Sequence, residues 1–520
     1  MGISSIALAL ALCSLAGLAA LLGWRAEGRR ARRTRTALLA LVALASLFSY
    51  LRTPTRDESG RLGVQLMPLH THEYFHYFLG TRYFAELGHD RLYEAIVIAD
   101  AEDAPERFRP HNRFRDLRTN RVDRTRADVL REGALARRAF SPERWQQFKS
   151  DVALFRTAFP PEAWYGSGLL RDHGYNGMPL TTLVLGALAN QPFVDSYTFI
   201  QVARWLDLVA MCAVGLLLAA AIGVDATLVF ATLWFANPFN GSPFVGGAYL
   251  RYGYSLALVV AWLCLEKRRL APAGALLALA THLRVFPALF AVGLLLRDLV
   301  SQQPLRALRA HRRLYASYLL TGLALFAVTL PLQGPDGRSV WRESLERIRV
   351  HSGAYSTNGV GLAALFAWSG AHEPARLQAA AARGEIASWS DAVERTVSSR
   401  RIWHWPLLGA ILIGCATLAR RLSLAEAMFL GFPLSFALLY LSHYYYMHLA
   451  LIALVFRDDR RILLTTTLAT GLFLVTATPT LFADDALRFT VLSGELLAML
   501  CAVAAFAALR SGRRDRRATP

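Results

Sequence analysis

Lysine is almost missing from this chain. Of its 57 basic residues only Lys149 and Lys267 are lysines, so the formal net charge of +19 is carried by arginine. Cysteine is scarce as well: Cys13, Cys212, Cys264, Cys415 and Cys501 all fall inside apolar segments, none in a Cys-x-x-Cys pair. Disulfides and a cysteine metal site are therefore not expected, and these residues read as small apolar side chains within helices. Charge is thin too, at 18% of residues against 54% hydrophobic, with a mean hydropathy of +0.31. Apolar runs near twenty residues recur, which excludes an ordinary soluble domain and predicts an all-α, polytopic transmembrane protein. The arginines gather in short runs between apolar segments, the pattern that orients a multi-span chain in a bilayer. The net charge is thus a topology signal, and no nucleic-acid partner is expected.

The first apolar segment, residues 3–24, has no basic stretch before it and no small-x-small cleavage site after it. It is expected to be a retained span with its N-terminus outside. The basic clusters are Arg25 to Arg35, Glu266 to Arg269, Arg297 to Arg313, Arg420-Arg421, Arg457 to Arg461 and the tail Arg510 to Arg517. Placing them all in the cytoplasm predicts about 11 spans, at 3–24, 37–51, 197–221, 224–239, 245–265, 314–332, 403–419, 424–441, 443–457, 461–481 and 489–509. Residues 178–191, bounded by Pro179 and Pro192, read as a half-helix at the outer surface. The stretch 270–296 has both ends inside and is expected to turn back at Thr281 to Pro287 as a re-entrant or broken helical pair, the alternative being a straight span with a misplaced charge cluster.

The expected organisation is two N-terminal spans (1–51) and a first extracytoplasmic loop with surface helices (52–196), then a bundle including the broken pair (197–332). A second extracytoplasmic loop (333–402), C-terminal spans (403–510) and a basic cytoplasmic tail (511–520) complete it. Within the first loop, Pro142 to Phe148 has the pattern of an amphipathic helix lying on the membrane. Arg107 to Arg138 reads as a solvated or headgroup-facing surface without chemistry. The expected location is the inner (plasma) membrane of a bacterium, with the active face extracytoplasmic and the C-terminus cytoplasmic.

Against this background His70-Thr71-His72-Glu73-Tyr74-Phe75-His76-Tyr77 stands out. Ionisable groups near a bilayer mark a functional site by default. The same outer face is expected to receive Asp172, His173, Tyr175 and Asn176, then Asn237, Arg251 and Tyr252, then His282 and Arg284 at the hairpin tip. His351, Tyr355 and Asn358 from the second loop and Ser442 to Tyr446 join them. Each has a plainer explanation: a snorkelling Arg251, an aromatic belt at Tyr444 to Tyr446, helix caps at Asp172 and Asn358. If this stretch is helical, His72 and His76 share a face suited to a metal, but no second acidic ligand is close in sequence; no cofactor is expected, and a divalent metal, although possible, lacks a full ligand set. What favours a site is convergence from five parts of the chain. Glu73 can act as general base, with Asp172 a possible second acidic residue. Basic groups at membrane depth can hold a lipid-borne phosphate, arginine bidentately. Asn, His and Tyr bond sugar hydroxyls.

The order of these features resembles the GT-C superfamily of integral membrane glycosyltransferases, in particular the branch of polyprenol-phosphate-mannose-dependent α-mannosyltransferases. The residues carrying the resemblance are Glu73, Tyr74 to Tyr83, Gly88-His89-Asp90-Arg91-Leu92-Tyr93, Arg284-Val285-Phe286-Pro287, Thr357-Asn358-Gly359-Val360-Gly361-Leu362 and Ser442-His443-Tyr444. Glu73 stands where the branch usually has Asp, and Tyr249-Leu250-Arg251-Tyr252 replaces its Gly-Gln-x-Asn loop. An insertion at about 94–170 has no counterpart in the branch. The resemblance implies a GT-C-like fold, with Glu73 as general base and Arg284, with Arg251, on the polyprenyl phosphate. Asn358 and His443 would line the sugar site, with Tyr252 and His282 among the substrate-binding groups, and His70, His72, His76, His173 and Tyr175 in support. The implied partners are a polyprenyl-phosphate-linked sugar donor, a glycan or lipid acceptor, and the bilayer. The implied reaction inverts the anomeric centre, in many members without a metal. A transporter or flippase of lipid-linked sugars, or a non-catalytic subunit of polysaccharide assembly, are the competing readings.

Overall fold

The computed structural model describes residues 5–56, 62–66, 69–107, 113–132, 134–166, 168–240, 246–352, 355–356, 358–369, 389–478, 481–482 and 485–518. Thr357, part of the Asn358 motif, lies outside them. The chain is mostly helical. Four helical stretches, Gly28–Leu51, Ser196–Ile222, Arg401–Ala419 and Ala486–Arg510, are long and apolar enough to cross a membrane. Shorter apolar helices, including Ala7–Gly23, Val224–Ala236, Gly253–Glu266 and Leu270–Leu283, sit where further spans are expected, but fall short of the ~20 residues of a straight crossing.

Two expected spans are not continuous α-helices. Residues 424–441 divide into a 3-10 turn, Glu426–Leu430, and a short helix, Gly431–Leu438. Residues 443–457 form a 3-10 stretch, His443–Ala450, followed by Leu451–Val455. The fold also departs from all-α by three short antiparallel strand pairs: Arg52–Arg56 with Leu62–Leu66, Arg113–Asp116 with Arg121–Thr125, and Gly359–Val360 with Leu441–Ser442.

The break expected near residue 284 is present. The helix Leu270–Leu283 ends as Arg284 turns extended (φ −151°, ψ 140°), and a new helix, Ala288–Leu299, starts after Pro287. Proline lacks the N–H that would continue the helix, and it biases the residue before it away from helical geometry. The first half packs between Gly253–Glu266 and Arg312–Thr329, and the second against Glu426–Leu438. The first contact needs a glycine: a Cβ on Gly274 would lie 2.1 Å from the Leu314 carbonyl oxygen. Residues 178–191 form one short helix, Pro179–Ala189, with proline in its first turn.

Among the described residues two large hydrophobic cores result, with a small third cluster of Ala367, Val393 and Val397. One runs through the apolar helices. The other is aromatic and gathers Tyr74, Phe75, Phe78, Tyr83, Tyr93, Trp145, Phe148, Phe155, Trp164 and Tyr175. This second core corrects the expectation for 142–148. The helix Pro142–Ala158 is amphipathic, but its apolar face is not spread on a membrane: Trp145 and Phe148 are buried against Phe140 and Tyr83. Nor are the 107–138 arginines a plain solvated face. Arg118 and Arg124 both pair with Glu94, at 2.7 and 2.9 Å, and Arg107 lies over Trp164. The described part of the 94–170 segment is therefore folded into a core that it shares with the helix Thr71–Arg82 and with Tyr175.

Replacing Phe148 by Ala removes a fully buried ring. The expected cost is about 3–5 kcal/mol, measured as a lowered thermal midpoint of the purified protein. An unchanged midpoint would return this helix to the membrane surface.

Candidate active site

The helix Thr71–Arg82 starts under a histidine cap: the His70 Nδ1 accepts the Glu73 N–H at 3.2 Å. This places Glu73 in the first turn, its side chain only 14% exposed. One turn later on the same face Tyr77 projects its hydroxyl towards the apolar bundle. Two guanidiniums meet that hydroxyl. The Arg251 Nη1 donates to it at 2.5 Å and the Arg284 Nη2 at 2.9 Å, while the hydroxyl donates to the Asn176 Oδ1 at 2.5 Å. The Arg251 Nη1 also lies 3.7 Å from the Glu73 carboxylate.

Each arginine is held by a different device. Arg284 occupies the extended break between two helices. Arg251 follows Leu250, a non-glycine residue at φ +49°. That left-handed conformation costs about 1–2 kcal/mol. Asp207, buried within Leu206–Ile222, offsets it: its carboxylate accepts the Arg251 N–H at 2.8 Å and the Tyr252 N–H at 3.3 Å. The turn after residue 442 closes the site with rings. Arg251 lies over Tyr77, Tyr444 and Tyr445 at 4.9, 5.2 and 5.6 Å, and Arg284 over Tyr77 and Tyr445, both at 5.6 Å.

The charges do not balance. Arg251 and Arg284 are 4% and 8% exposed. Among the described residues Glu73 is the one carboxylate paired with either side chain, and the buried Arg251 Nε has no hydrogen-bond acceptor. Burial pushes the Glu73 carboxyl upward, but Arg251, then His70, His72 and Arg284, outweigh it and hold the group below the ordinary glutamate range. The centre thus carries an excess positive charge with unspent donors, which suits an anionic oxygen group.

Asp172 is brought to the histidine run, although it lies about a hundred residues away. The Tyr93 hydroxyl lies 3.0 Å from both the Leu169 and Asp172 carbonyl oxygens and accepts the Gly174 N–H at 3.1 Å, so one buried phenol staples the whole turn. Gly174 permits that turn at φ +66°. The Asp172 Oδ2 lies 3.7 Å from the His72 Nε2 and 3.8 Å from the His76 Nδ1. Burial keeps His76 neutral, pulled down to about 4; partial burial pushes the Asp172 carboxyl up, but the neighbouring imidazoles outweigh it and hold Asp172 at about 2. His72, His76 and Asp172 could hold a metal ion, with ligand atoms within 4.8 Å of one another. The missing acidic ligand is supplied by the fold rather than by sequence neighbours.

The remaining expected residues have other surroundings. His173 meets the Asn120 side chain at 2.8 Å and the His351 ring at 5.0 Å; burial and then Arg115 bring it down to about 4. Tyr175 is buried between Tyr77 and His89 and bonds Thr182. The Tyr252 hydroxyl donates to the Asn240 carbonyl at 2.8 Å, within the bundle. His282 packs on Trp341 at 5.9 Å. His443 donates its N–H to the Asn358 carbonyl at 3.0 Å, extending the 359–360/441–442 strand pair, and its ring stacks among Phe239 and Phe489. From that turn, Tyr444 and Tyr445 reach the arginines. Sequence reasoning missed Asp207 entirely, although a lone carboxylate in an apolar helix is a recognisable signal. It also passed over the Tyr77 hydroxyl, which nothing in the sequence distinguishes from its neighbouring tyrosines.

Comparison with protein-family models, with curated proteins and with solved structures found no match. The local geometry makes its own prediction. Asp207→Ala leaves two buried N–H groups without acceptors, at about 1–3 kcal/mol each. The thermal midpoint should fall clearly, and Asp207→Asn, which retains one acceptor, should fall less. Equal midpoints for all three proteins would remove Asp207 from the account.

Proposed function

We propose that this protein is an integral membrane glycosyltransferase that moves a sugar from a polyprenyl-phosphate donor to an extracytoplasmic glycan or lipid acceptor. Mannose is the sugar the sequence resemblance points to. The observation that carries the reading is the buried pair Arg251 and Arg284, with the single carboxylate of Glu73 beside it. A phosphate oxygen seated on the pair meets two forked donors in a site where water is scarce, and such contacts are stronger there than in solution.

In the proposed reaction the acceptor hydroxyl oxygen attacks the anomeric carbon from the side opposite the phosphate. The new C–O bond forms as the bond from that carbon to the phosphate oxygen breaks. The acceptor proton passes to the Glu73 carboxylate, and the polyprenyl phosphate leaves with the bonding electrons, its added charge stabilised by Arg251 and Arg284. Arg251 links the two ends of this process. In the free site it depresses the Glu73 carboxyl, making an ionised but weak base. A donor phosphate bound to Arg251 takes up part of that positive field and strengthens the base when the substrate is present. The tyrosine faces of residues 444 and 445 keep the guanidiniums oriented between turnovers.

The test is transfer from a polyprenyl-phosphate sugar by purified protein. A general base contributes about 10²–10⁴-fold, so Glu73→Gln should lower transfer by that range with donor binding retained. Transfer at the wild-type rate by Glu73→Gln would end the assignment.

A further inference from the structure

We propose that His72, His76 and Asp172 form a binding site for one divalent transition-metal ion of the zinc type. The site is separate from the Glu73–Arg251 pair and rests on no assumption about the reaction.

The spacing is the first argument. The contacts from the Asp172 Oδ2 to the two imidazoles, 3.7 and 3.8 Å, are too long for hydrogen bonds, which close to about 2.7–3.2 Å. Three ligand atoms nevertheless converge within 4.8 Å. Zinc bonds of about 2.0–2.1 Å put tetrahedral ligand atoms ~3.3–3.5 Å apart. The two carboxylate contacts need to close by only a few tenths of an ångström, and the two imidazole nitrogens, within 4.8 Å of each other, close the rest by a turn of the partly exposed His72 ring.

The second argument is the preparation of His76. Its Nε2 lies 2.8 Å from the Tyr93 hydroxyl and 3.2 Å from the Leu169 carbonyl. A proton on Nε2, donated to that carbonyl, leaves the Nδ1 lone pair facing Asp172 and His72. Metal-bound histidines are oriented in this way, with the distal N–H on a carbonyl or carboxylate. The competing tautomer gives the Nδ1 proton to the His72 carbonyl at 2.9 Å, and metal binding would displace it. The same Tyr93 hydroxyl fixes the Asp172 turn, so one group sets two of the three ligands.

Ligand chemistry decides the ion. Two imidazoles and one carboxylate suit zinc and its neighbours, whereas magnesium and calcium prefer all-oxygen sets. His72 and Asp172 are 37% and 38% exposed, which leaves a fourth position open to water or to an oxygen of a bound ligand.

The experiment uses the full-length protein in detergent, free of any affinity tag, stripped with chelator and titrated with Zn²⁺ alone. The expected result is one Zn²⁺ per chain, weakened at least tenfold in both His72→Ala and Asp172→Ala. Glu73→Gln should bind as the wild type does, and Mg²⁺ should give no saturable binding. Absence of saturable Zn²⁺ binding, or unchanged affinity in the two ligand variants, would overturn the site. Should a variant fail to fold, Co²⁺ added to the stripped wild-type protein decides: visible d–d absorption of a low-symmetry nitrogen/oxygen site supports the proposal, and the spectrum of aqueous Co²⁺ refutes it. Loss of transfer by Glu73→Gln with Zn²⁺ binding intact keeps this inference distinct from the proposed reaction.

Discussion

Two buried guanidiniums sharing one phenolic oxygen are the constraint on which the surrounding architecture depends. Two like charges donating to the same oxygen repel, and more strongly away from water than in it. Tyr77 accepts from both, Asn176 takes the proton that Tyr77 donates, and Glu73 offsets one charge. Three aromatic faces cover what remains. None of these groups neutralises the second charge. In the proposed reaction the donor phosphate would do so, and relief of that uncompensated charge would favour its binding.

That constraint explains several features that look unrelated. Tyr77 belongs to the aromatic core, which also takes in Tyr249 and Val340, while Arg251, Arg284 and Asp207 come from the apolar bundle or its edges. The site therefore lies where two separately packed units meet. The helix break at Arg284–Pro287 and the left-handed Leu250 are irregularities that deliver one arginine each. The short strand pair joining Gly359–Val360 to Leu441–Ser442 anchors the turn that supplies Tyr444 and Tyr445. Asn237 supports the same turn from below, through contacts of 3.3 and 3.4 Å to the Tyr446 and Met447 carbonyls.

The parts legible in the sequence were those governed by local rules. Pro287 and the polar residues before it marked the helix break, and hydropathy placed the apolar helices. Arginine parity put Glu73, Arg251 and Arg284 on one face, and the geometry brings all three together. What was not legible depended on distant packing. Trp145, Phe148 and Phe155 have the same periodicity whether a helix faces lipid or a core, and only the partners Phe140 and Tyr83 decide between the two. Asp172 reaches His72 and His76 because of a phenol at position 93, a relation with no trace in spacing. Asn358 and His443 do find each other, but through the Asn358 carbonyl, which meets both the His443 N–H and its ring Nδ1, rather than as groups facing the arginines.

The most direct test of the central claim is the affinity of purified protein for polyprenyl phosphate carrying no sugar. The charge imbalance at Arg251 and Arg284 predicts saturable binding that weakens at least tenfold in Arg284→Gln and recovers little in Arg284→Lys, since an ammonium lacks the fork. Binding of equal strength in the wild type and Arg284→Gln would contradict the assignment of this pair as the phosphate seat.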